Sequence, residues 1–370
     1  MITEIKNILI IGGGTGGHIA PAIAVGKALH KEYNYNVSYV CGDKEIEKVF
    51  YNKEGISPTI LSLPKFKAIN PKFYINLFKA VLNAAKIIKE KKIHAVFGAG
   101  GYTCAAVMTA AVLMRKPLFI QEQNSLPGKV NKLFGRFAKK IFLGLKQASE
   151  YFNQNKIFVT GNPITYSNFN IDRKEACDYF KLNSDKKIIL IIGGSQGASG
   201  INDAVLEMIE KNQTDKSFLS DMQILWSAGK SSYDQIISRL KDNKYCDENV
   251  RVLAMIDRMD YAYAISEIAV SRAGALSLSE LSAFGCPSIL IPYPYAAENH
   301  QLYNAKAYTL SGGAILIENK NFSAGKLFEE LKTLFDNPSR LKEMKYNIKT
   351  LAKTDASDKI AHEIFKSISN

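Results

Sequence analysis

The chain has 370 residues, 46% of them hydrophobic and 22% charged, which is enough for two domains with full cores. Its five cysteines are odd in number and widely spaced without a C-x-x-C pair, which argues against a disulfide framework or a zinc site and favours a reducing cytosol. Glu4 precedes the first strand, which argues against a signal peptide. The longest apolar run, 105–114, is too short for a membrane span. We therefore expect a soluble protein.

The positive charge is concentrated in the first half of the chain. Residues 1–162 carry 23 Lys and Arg against 9 Asp and Glu, whereas the rest carry 25 against 26. A basic half predicts an anionic partner on that side: a membrane surface, a nucleic acid or a polyphosphate. The alternative is that a lysine-rich codon bias inflates the count, although this leaves the neutral second half unexplained.

The first half alternates short β-branched strands with helical patterns, which is typical of a parallel sheet covered on both faces. The predicted strands are 7–11, 37–41, 59–62, 95–98, 118–121, 140–143 and 157–160. Gly161-Asn162-Pro163 interrupts the pattern, and the polar stretch that follows predicts the interdomain linker.

The second half repeats the scheme, and it ends in a helix predicted at about 340–368 after Pro338. Its predicted strands are near 188–192, 223–227, 250–254, 267–270, 288–291 and 314–317. Both halves are therefore expected to be Rossmann-like α/β domains, with the last helix packing back on the first.

Three glycine loops follow predicted strands, at 12–17, 98–102 and 193–198. Glycine lets backbone N–H groups approach an anion, and a helix N-terminus adds partial positive charge. The first loop, with Asp43, also matches the dinucleotide fingerprint, but an NAD site uses one such loop. Three loops in two domains favour a nucleoside diphosphate on one side and a second phosphorylated ligand on the other. Tight strand–helix turns alone could explain any one of them.

His18 follows the first loop where a helix is expected to begin, and an imidazole there can act as a general base. Helix capping or substrate binding is the alternative role. We assign structural roles to His30, His94 and His362, which lie in ordinary amphipathic or surface contexts.

Three polar clusters also follow strands, at 121–128, 271–280 and 298–304. The carboxyl ends of parallel strands are where α/β proteins bind ligands, and amides with one carboxylate suit hydroxyl-rich ligands such as sugars. Glu280 is placed to accept both hydroxyls of a ribose; Ser277-x-x-Glu280 also fits a capping box.

Neither Asp-x-Asp nor a P-loop occurs in the chain, so we expect diphosphate to be held by backbone amides and helix dipoles, with neither a metal nor a cofactor. The stretch 65–79 mixes lysines with Phe73, Tyr74 and Phe78 beside a core stripe of Leu77, Val81, Ala84 and Ile88. Lysines flanking exposed aromatics are typical of a membrane-surface helix, and burial of the rings under a loop is the alternative.

Seven ordered motifs in residues 8 to about 305 resemble the MurG family. They are GGGTGGHIAPAIAV, GAGGYTCAAV, QEQNSLPGKVNK, GNP, GGSQGA, SRAGALSLSEL and NHQLYNA. The resemblance implies a GT-B fold, two Rossmann-like domains facing a cleft. Residues 1–162 would bind acceptor and membrane, residues 163–344 would bind UDP-N-acetylglucosamine, and a C-terminal helix of about 345–370 would return to the first domain.

The family's activity is transfer of N-acetylglucosamine, with inversion, to the muramyl O4 of a polyprenyl-diphosphate-linked acceptor in peptidoglycan synthesis. The resemblance implies a peripheral protein on the cytoplasmic face of the bacterial plasma membrane. Its partners would be UDP-N-acetylglucosamine, the lipid-linked acceptor, an anionic membrane surface and proteins of cell-wall synthesis or cell division. No RNP-like or helix-turn-helix signature is present, so no nucleic-acid partner is expected.

Motif matching carries the family's roles onto positions of this chain. His18 matches the proposed base. Glu280 would bind the ribose and the backbone of Ile256 the uracil. The donor-binding positions are Thr15, Gly16, Gly17, Asn124, Thr165, Ser195, Ile256, Ala275, Leu276, Ser277, Leu278, Ser279, Glu280 and Gln301. The acceptor diphosphate is expected at Gly14, Gly100, Gly101 and Tyr102.

Thr165 departs from the family pattern, because an arginine often stands two residues after the proline of G-N-P. A hydroxyl can donate one hydrogen bond, but the charge is lost. The loop at 193–198 and the helix after it would then be the main diphosphate partners, unless a lysine elsewhere compensates. Alternative functions are another GT-B enzyme, such as a glycolipid synthase or a UDP-sugar epimerase, or an NAD-binding or nucleic-acid-binding module.

Overall fold

The computed structural model describes residues 5–62, 71–194, 197–211, 221–242 and 249–369. The chain divides into two units. The first comprises residues 1–165 with 353–370, and the second comprises 166–352. The chain passes between the two units at two points, and neither lies in a helix or a strand. The first of these points lies within the predicted linker.

Up to Thr165, the described residues of the N-terminal unit form seven strands, five α-helices and two 3₁₀ turns. The strands are β1 Asn7–Ile11, β2 Asn36–Cys41, β3 Thr59–Ile60, β4 Ala95–Gly98, β5 Leu118–Glu122, β6 Lys140–Leu143 and β7 Ile157–Val159. The α-helices are α1 Gly16–Tyr33, α2 Glu45–Lys53, α3 Pro71–Glu90, α4 Cys104–Leu113 and α5 Lys129–Gly135, with 3₁₀ turns at Lys146–Tyr151 and Gln154–Lys156.

The sheet of this unit is parallel, with strand order β3-β2-β1-β4-β5-β6-β7. Alternate residues of β1 face opposite sides: Leu9 and Ile11 join the core under α3 and α4, whereas Ile8 and Ile10 join the core under α1. Burial on both faces explains why these strands are continuous apolar runs. The order changes direction beside β1 and β4, where α/β sheets bind ligands.

The chain returns to the N-terminal unit through its last helix, Ala356–Ser369, which is numbered α14. Ile360, Ala361 and Ile364 of that helix are buried in the core under α1, and the Tyr33 ring stacks on Phe365. The single helix predicted at about 340–368 is wrong, because Leu351 to Asp355 separate two helices. The first of these belongs to the C-terminal unit, so the chain leaves that unit after Ala352 rather than at the predicted 344.

The C-terminal unit has six described strands. They are β8 Lys187–Ile192, β9 Met222–Ser227, β10 Val250–Leu253, β11 Ile268–Ser271, β12 Ser288–Leu290 and β13 Ala314–Leu316. Its α-helices are α6 Arg173–Phe180, α7 Ser199–Lys211, α8 Tyr233–Asp242, α9 Met259–Ile265, α10 Ala275–Phe284, α11 His300–Leu310, α12 Ala324–Phe335 and α13 Pro338–Thr350; the returning helix α14 is Ala356–Ser369. Short 3₁₀ turns lie at Ala297–Asn299 and Asn319–Asn321.

The second sheet is also parallel, in the order β10-β9-β8-β11-β12-β13. One face is covered by α7 and α12, and the buried Trp226 donates its indole N–H to Asn202 at 3.0 Å. Two doubly wound α/β units in tandem confirm the fold class expected from the sequence. No helix in the described ranges is both long and apolar enough to cross a bilayer.

Candidate active site in two half-sites

The glycine loop after β1 encloses a carboxylate of the protein itself. Glu47, fully buried on α2, accepts the N–H of Gly14 at 2.9 Å and that of Gly42 at 2.7 Å. Gly14 has φ +88°, and a Cβ at Gly13 would lie 2.6 Å from the Glu47 carboxylate. The glycines therefore let the loop close over Glu47, and the Gly14 amide points inward.

His18 lies in the first turn of α1 with one ring nitrogen engaged by the protein. Its Nδ1 is 3.0 Å from the carbonyl oxygen of Ala99 and 3.1 Å from Oε1 of Gln123. Both neighbours are acceptors, so Nδ1 carries the proton and, in the neutral ring, Nε2 carries the lone pair. This tautomer is the one that a general base requires.

The second glycine loop packs directly on the His18 ring. Gly100 and Gly101 have φ +92° and +85°, and Cβ atoms there would lie 3.2 Å from the imidazole. A Cβ at Gly101 would also meet the Gly13 carbonyl oxygen at 2.8 Å. Glycine is needed here for the backbone conformation and for the close approach of the two loops around the ring.

Buried side-chain amides stand behind His18. Gln123 donates to the Ala99 carbonyl and to Gln121, Gln121 donates to Asn162 at 2.9 Å, and Asn162 donates to the Gln123 carbonyl at 3.2 Å. Gln121, Gln123 and Asn162 are each 2% exposed or less. A closed network of this kind holds Gln123, and with it the His18 ring, in one orientation.

The carboxylate of Glu122 is used inside the loop that follows β5. One oxygen accepts the backbone and side-chain N–H groups of Asn124 at 2.9 and 3.1 Å. The other accepts Gly128 N–H at 3.1 Å and the Asn131 amide at 2.7 Å. Four donors satisfy both oxygens, so Glu122 shapes the loop and places Asn124 rather than offering a carboxylate to a sugar.

The remaining predicted residues of this unit surround the same loops. Thr15 is exposed and precedes α1 without a side-chain cap, and a Cβ at Gly16 would meet the Phe50 ring. Gly17 lies in the first turn of α1. Tyr102, 36% exposed, lies over the first loop, with its ring 4.0 Å from the Cβ position of Gly14. Thr165 is exposed at the end of this unit.

In the C-terminal unit, the loop after β8 leads into α7. Gly194 and Gly197 have φ +86° and +79°, and a Cβ at Gly193 would lie 2.4 Å from the amide nitrogen of Ala198. A side chain is therefore excluded by close contacts at Gly193 and Gly197, whereas Gly194 is required by its positive φ alone. Ser195 lies outside the described residues.

Helix α10 begins one residue after Gly274, which is its N-cap, and no side chain caps it. Ser277 is the third residue of the helix and Glu280 the sixth, so the predicted Ser277-x-x-Glu280 capping box is wrong. Ala275, Leu276 and Ser277 instead form the first turn, Leu278 is fully buried, and Ser279 donates back to the Ala275 carbonyl at 3.0 Å. The partial positive charge of a helix N-terminus favours an anionic or polar ligand.

Glu280 faces an aromatic surrounding. Its carboxylate accepts the hydroxyl of buried Tyr263 at 2.9 Å, and Tyr263 and Tyr166 both pack against the Phe284 ring. Burial raises the pKa of Glu280 to about 7, against the lowering effect of the Tyr263 hydrogen bond. The carboxyl therefore changes its charge near neutral pH.

Ile256, 5% exposed, lies in the loop between β10 and α9, and the residues after it are firmly held. Asp257 accepts the Tyr179 hydroxyl at 2.7 Å. Arg258 makes a forked contact with Asp260 and stacks over Tyr261, its guanidinium carbon 3.5 Å from the ring centroid. These contacts hold the backbone of the loop that carries Ile256.

Gln301 in the first turn of α11 accepts the Tyr293 N–H through Oε1 at 2.9 Å. Its amide NH₂ is then the end that can donate to a sugar hydroxyl. The turn before α11 places Glu298 and Asn299 in the left-handed region, φ 52° and 57°. Non-glycine residues at positive φ mark backbone held in place by its surroundings, a feature common at binding sites.

Four residues that matter to these half-sites escaped the sequence analysis: Glu47, Gln123, Asn162 and Tyr263. Gln123 and Asn162 stood inside motifs that were recognised, but nothing in the motifs indicates hydrogen bonds to the histidine or to each other. Glu47 and Tyr263 lie on ordinary helical patterns without a local signal.

The comparison with family models covers both units. Residues 8–143 match the glycosyltransferase family 28 N-terminal domain, and residues 188–360 match the glycosyltransferase family 28 C-terminal domain. The tandem α/β units and their glycine loops thus define a glycosyltransferase of the GT-B fold.

Curated relatives narrow the class. A protein of Caldanaerobacter subterraneus subsp. tengcongensis is 36% identical over 97% of this chain and 99% of its own length, and one of Flavobacterium psychrophilum is 37% identical over 98% of each. Both are named UDP-N-acetylglucosamine--N-acetylmuramyl-(pentapeptide) pyrophosphoryl-undecaprenol N-acetylglucosamine transferase. The chain belongs to this family, which is MurG.

Solved structures show the same fold. Acinetobacter baumannii MurG is similar with a TM-score of 0.76 and 24% identity, covering 98% of this chain and 99% of that one. UDP-GlcNAc 2-epimerase from Neisseria meningitidis, bound to UDP-GlcNAc, is similar with a TM-score of 0.68 and 16% identity over 98% and 100%. The shared fold spans transferases and epimerases, so the choice between them rests on the family.

Proposed function

We propose that this glycosyltransferase transfers N-acetylglucosamine from UDP-N-acetylglucosamine to the muramyl O4 of an undecaprenyl-diphosphate-linked N-acetylmuramyl-pentapeptide, with inversion. The observation that supports it most directly is the tautomer of His18, whose Nδ1–H is held by Ala99 and Gln123 so that Nε2 carries the lone pair. The names of the relatives supply the two substrates.

In the proposed reaction the N-terminal unit holds the acceptor and the C-terminal unit holds the donor. His18 Nε2 takes the proton of the acceptor hydroxyl while that oxygen forms a bond to C1 of the sugar. The bond between C1 and the diphosphate oxygen breaks on the opposite face, and UDP leaves with the electron pair. A single displacement inverts the configuration at C1. For this role a general base requires a pKa near the working pH.

Donor binding is assigned to the residues around α10 in the C-terminal unit. Glu280 would accept the ribose hydroxyls, the main chain of Ile256 would bind uracil, and Gln301 would donate to the sugar through its NH₂. The first-turn amides of α10 and the loop at 193–198 would hold the diphosphate, since preorganised donors stabilise the charge that develops on a leaving group. Thr15, Gly16, Gly17, Asn124, Thr165 and Ser195 are retained as donor contacts.

Release of UDP tests the reaction and separates it from epimerisation. UDP should appear only when both UDP-N-acetylglucosamine and the lipid-linked acceptor are present, and the product should carry a β-linkage. An epimerase would convert the UDP-sugar without acceptor. Acceptor-independent conversion, or tight NADH binding in place of the UDP-sugar, would overturn the proposal.

We also propose that the outer face of α3 contacts an anionic membrane. Of the predicted core stripe, Val81, Ala84 and Ile88 are buried, and Leu77 is partly buried and packs against the same core. Beside this stripe the helix has an apolar, exposed face: Tyr74 is 57% exposed and Phe78 is 63% exposed. Its remaining exposed apolar members are Ile75 and Leu82, with Leu113 at the end of the neighbouring helix α4.

The charges beside this face complete the membrane argument. Lys72 and Lys79 are exposed on the same helix, while Lys65 and Lys67 lie outside the described residues. Each lysine near an anionic surface contributes about 1 kcal/mol, and salt screens that attraction. Phe73, also expected to insert, is only partly exposed and packs edge-on against Tyr74. Tyr74 and Phe78 are therefore the better residues to change.

Vesicle binding tests the membrane contact. Replacing Tyr74 and Phe78 by Ser should lower sedimentation with anionic phospholipid vesicles and leave UDP-N-acetylglucosamine binding intact. Replacing Tyr346 and Leu310 by Ser is the matched control, since these are 72% and 85% exposed in the other unit. Equal vesicle binding by both double variants and the parent would exclude this face.

A further inference from the structure

The first turn of α2 directs two opposite charges to opposite sides of the first glycine loop. Glu47 points inward and takes the Gly14 N–H, whereas Lys44, the N-cap residue of the helix, is exposed. Because the Gly14 amide is already bonded to Glu47, a diphosphate on the outer side of this loop needs positive charge from another group.

Lys44 stands next to the residues predicted for the acceptor diphosphate. Its Nζ is 5.2 Å from the centroid of the Tyr102 ring, and that ring is 4.0 Å from the Cβ position of Gly14. Tyr102 follows Gly100 and Gly101 directly, so the ammonium lies where the first and second glycine loops meet. A cation–π contact holds a lysine in place without neutralising it.

Within the described ranges, no carboxylate lies within 4.0 Å of the Lys44 ammonium. The acidic neighbours on the same helix are engaged elsewhere, because Glu45 pairs with Lys48 at 3.4 Å and Glu47 binds the two glycine amides. The N-terminus of α1, with no acidic residue in its first turn, adds positive potential on the same side.

We propose that Lys44 binds the diphosphate of the lipid-linked acceptor, with Tyr102 positioning its ammonium and Glu47 shaping the loop beneath. The inference rests on the proposed function for the identity of the acceptor. In this proposal the negative charge of the diphosphate is neutralised by the lysine that precedes α2, and not by the glycine amides alone.

Exchange of Lys44 for Met tests the assignment. We expect the KM for the acceptor to rise about 10-fold or more, as for the loss of one charge-assisted contact, with the KM for UDP-N-acetylglucosamine unchanged. Lys44→Arg should keep most of the affinity. Lys48→Met is the matched control, one turn further along the same helix, and should leave both constants as they are.

A short-chain, water-soluble acceptor, assayed without vesicles, distinguishes binding of the acceptor diphosphate from binding of lipid headgroup phosphates. An unchanged acceptor KM for Lys44→Met under these conditions would overturn the proposal, and a defect confined to anionic vesicles would reassign Lys44 to lipid headgroups. Direct titration with a short prenyl diphosphate that lacks sugar gives a second readout. If the parent releases no UDP but binds this diphosphate more tightly than Lys44→Met does, the proposed reaction fails while the role of Lys44 stands.

Discussion

The carboxylates of the two half-sites are used in opposite ways. In the N-terminal unit, Glu122 receives four N–H donors and Glu47 receives two backbone amides, so both are spent on shaping loops. In the C-terminal unit, Glu280 accepts one hydroxyl, from Tyr263, and its pKa is raised to about 7. A carboxylate has about four acceptor positions, so Glu280 retains capacity for a ligand.

This difference indicates a division of labour. The N-terminal half-site uses its carboxylates and side-chain amides to hold its own loops and one imidazole, which suits chemistry. The C-terminal half-site leaves a partly desolvated carboxylate ready to accept hydroxyls, which suits binding. Changes at His18 and its hydrogen-bond partners should therefore act on kcat, and changes at Glu280 on the KM for the donor.

The largest expected effect is that of His18→Ala. Loss of a general base should lower kcat by about 10²- to 10⁴-fold with little change in the affinity for UDP. His30→Ala is the control, because His30 lies on the same helix and its Nδ1 contacts the Tyr35 carbonyl rather than Ala99 and Gln123. Steady-state kinetics with acceptor and isothermal titration with UDP separate the two effects, and near-parental turnover would reduce His18 to a positioning role.

Glu280→Ala should act on the KM for the donor. Removal of a carboxylate that accepts ribose hydroxyls costs about 1.5–3 kcal/mol, which corresponds to a KM for UDP-N-acetylglucosamine roughly 10- to 150-fold higher. Binding of the acceptor should not change. An unaltered KM would mean that Glu280 merely holds Tyr263 in the core, and thermal unfolding would then show the loss.

The raised pKa of Glu280 predicts a pH dependence with a definite sign. Below pH 7 the free carboxyl is protonated and accepts hydroxyls less well; above pH 7 it is charged. Hydrogen bonds from the ribose favour the charged form, so donor binding releases a proton. Affinity should rise up to about tenfold between about pH 6 and pH 8, and titration of Glu280→Gln should show a flat profile over that range.

The fold was predictable because its signals are local. The strands 7–11, 95–98 and 140–143 have the same bounds in the sequence analysis and in the structure, since apolar runs between glycine turns have few other conformations in which to bury both faces. The amphipathic pattern of α3 likewise identified which residues are core and left Tyr74 and Phe78 outside.

The site was only partly predictable because its contacts are distant in sequence. Gly14 meets a carboxylate 33 residues away, and His18 meets Gln123 across 105 residues. The error at Ser277 has a similar cause: the four-residue pattern of a capping box cannot show that Gly274 already begins the helix. The motifs located the loops. The residues that hydrogen-bond to these loops depend on the order of the strands in the sheet, which the motifs do not show.

The smallest effect distinguishes orientation from proton transfer in the N-terminal half-site. Gln123→Leu removes one acceptor from His18 Nδ1 and one donor from the Ala99 carbonyl, without touching Nε2. One hydrogen bond is worth about 1 kcal/mol, so kcat should fall roughly fivefold while the KM for the donor stays constant. Gln123→Glu keeps an acceptor at Nδ1 but loses the N–H donor to the Ala99 carbonyl and to Gln121, so we expect it to lower thermal stability. Where its carboxylate is charged, the kinetic pKa in the kcat profile should rise, because a carboxylate beside the ring stabilises the imidazolium. If both variants instead lower thermal stability and leave kcat unchanged, the amide network serves the fold alone, and the orientation of His18 is set by the Ala99 carbonyl and the two glycine loops that enclose its ring.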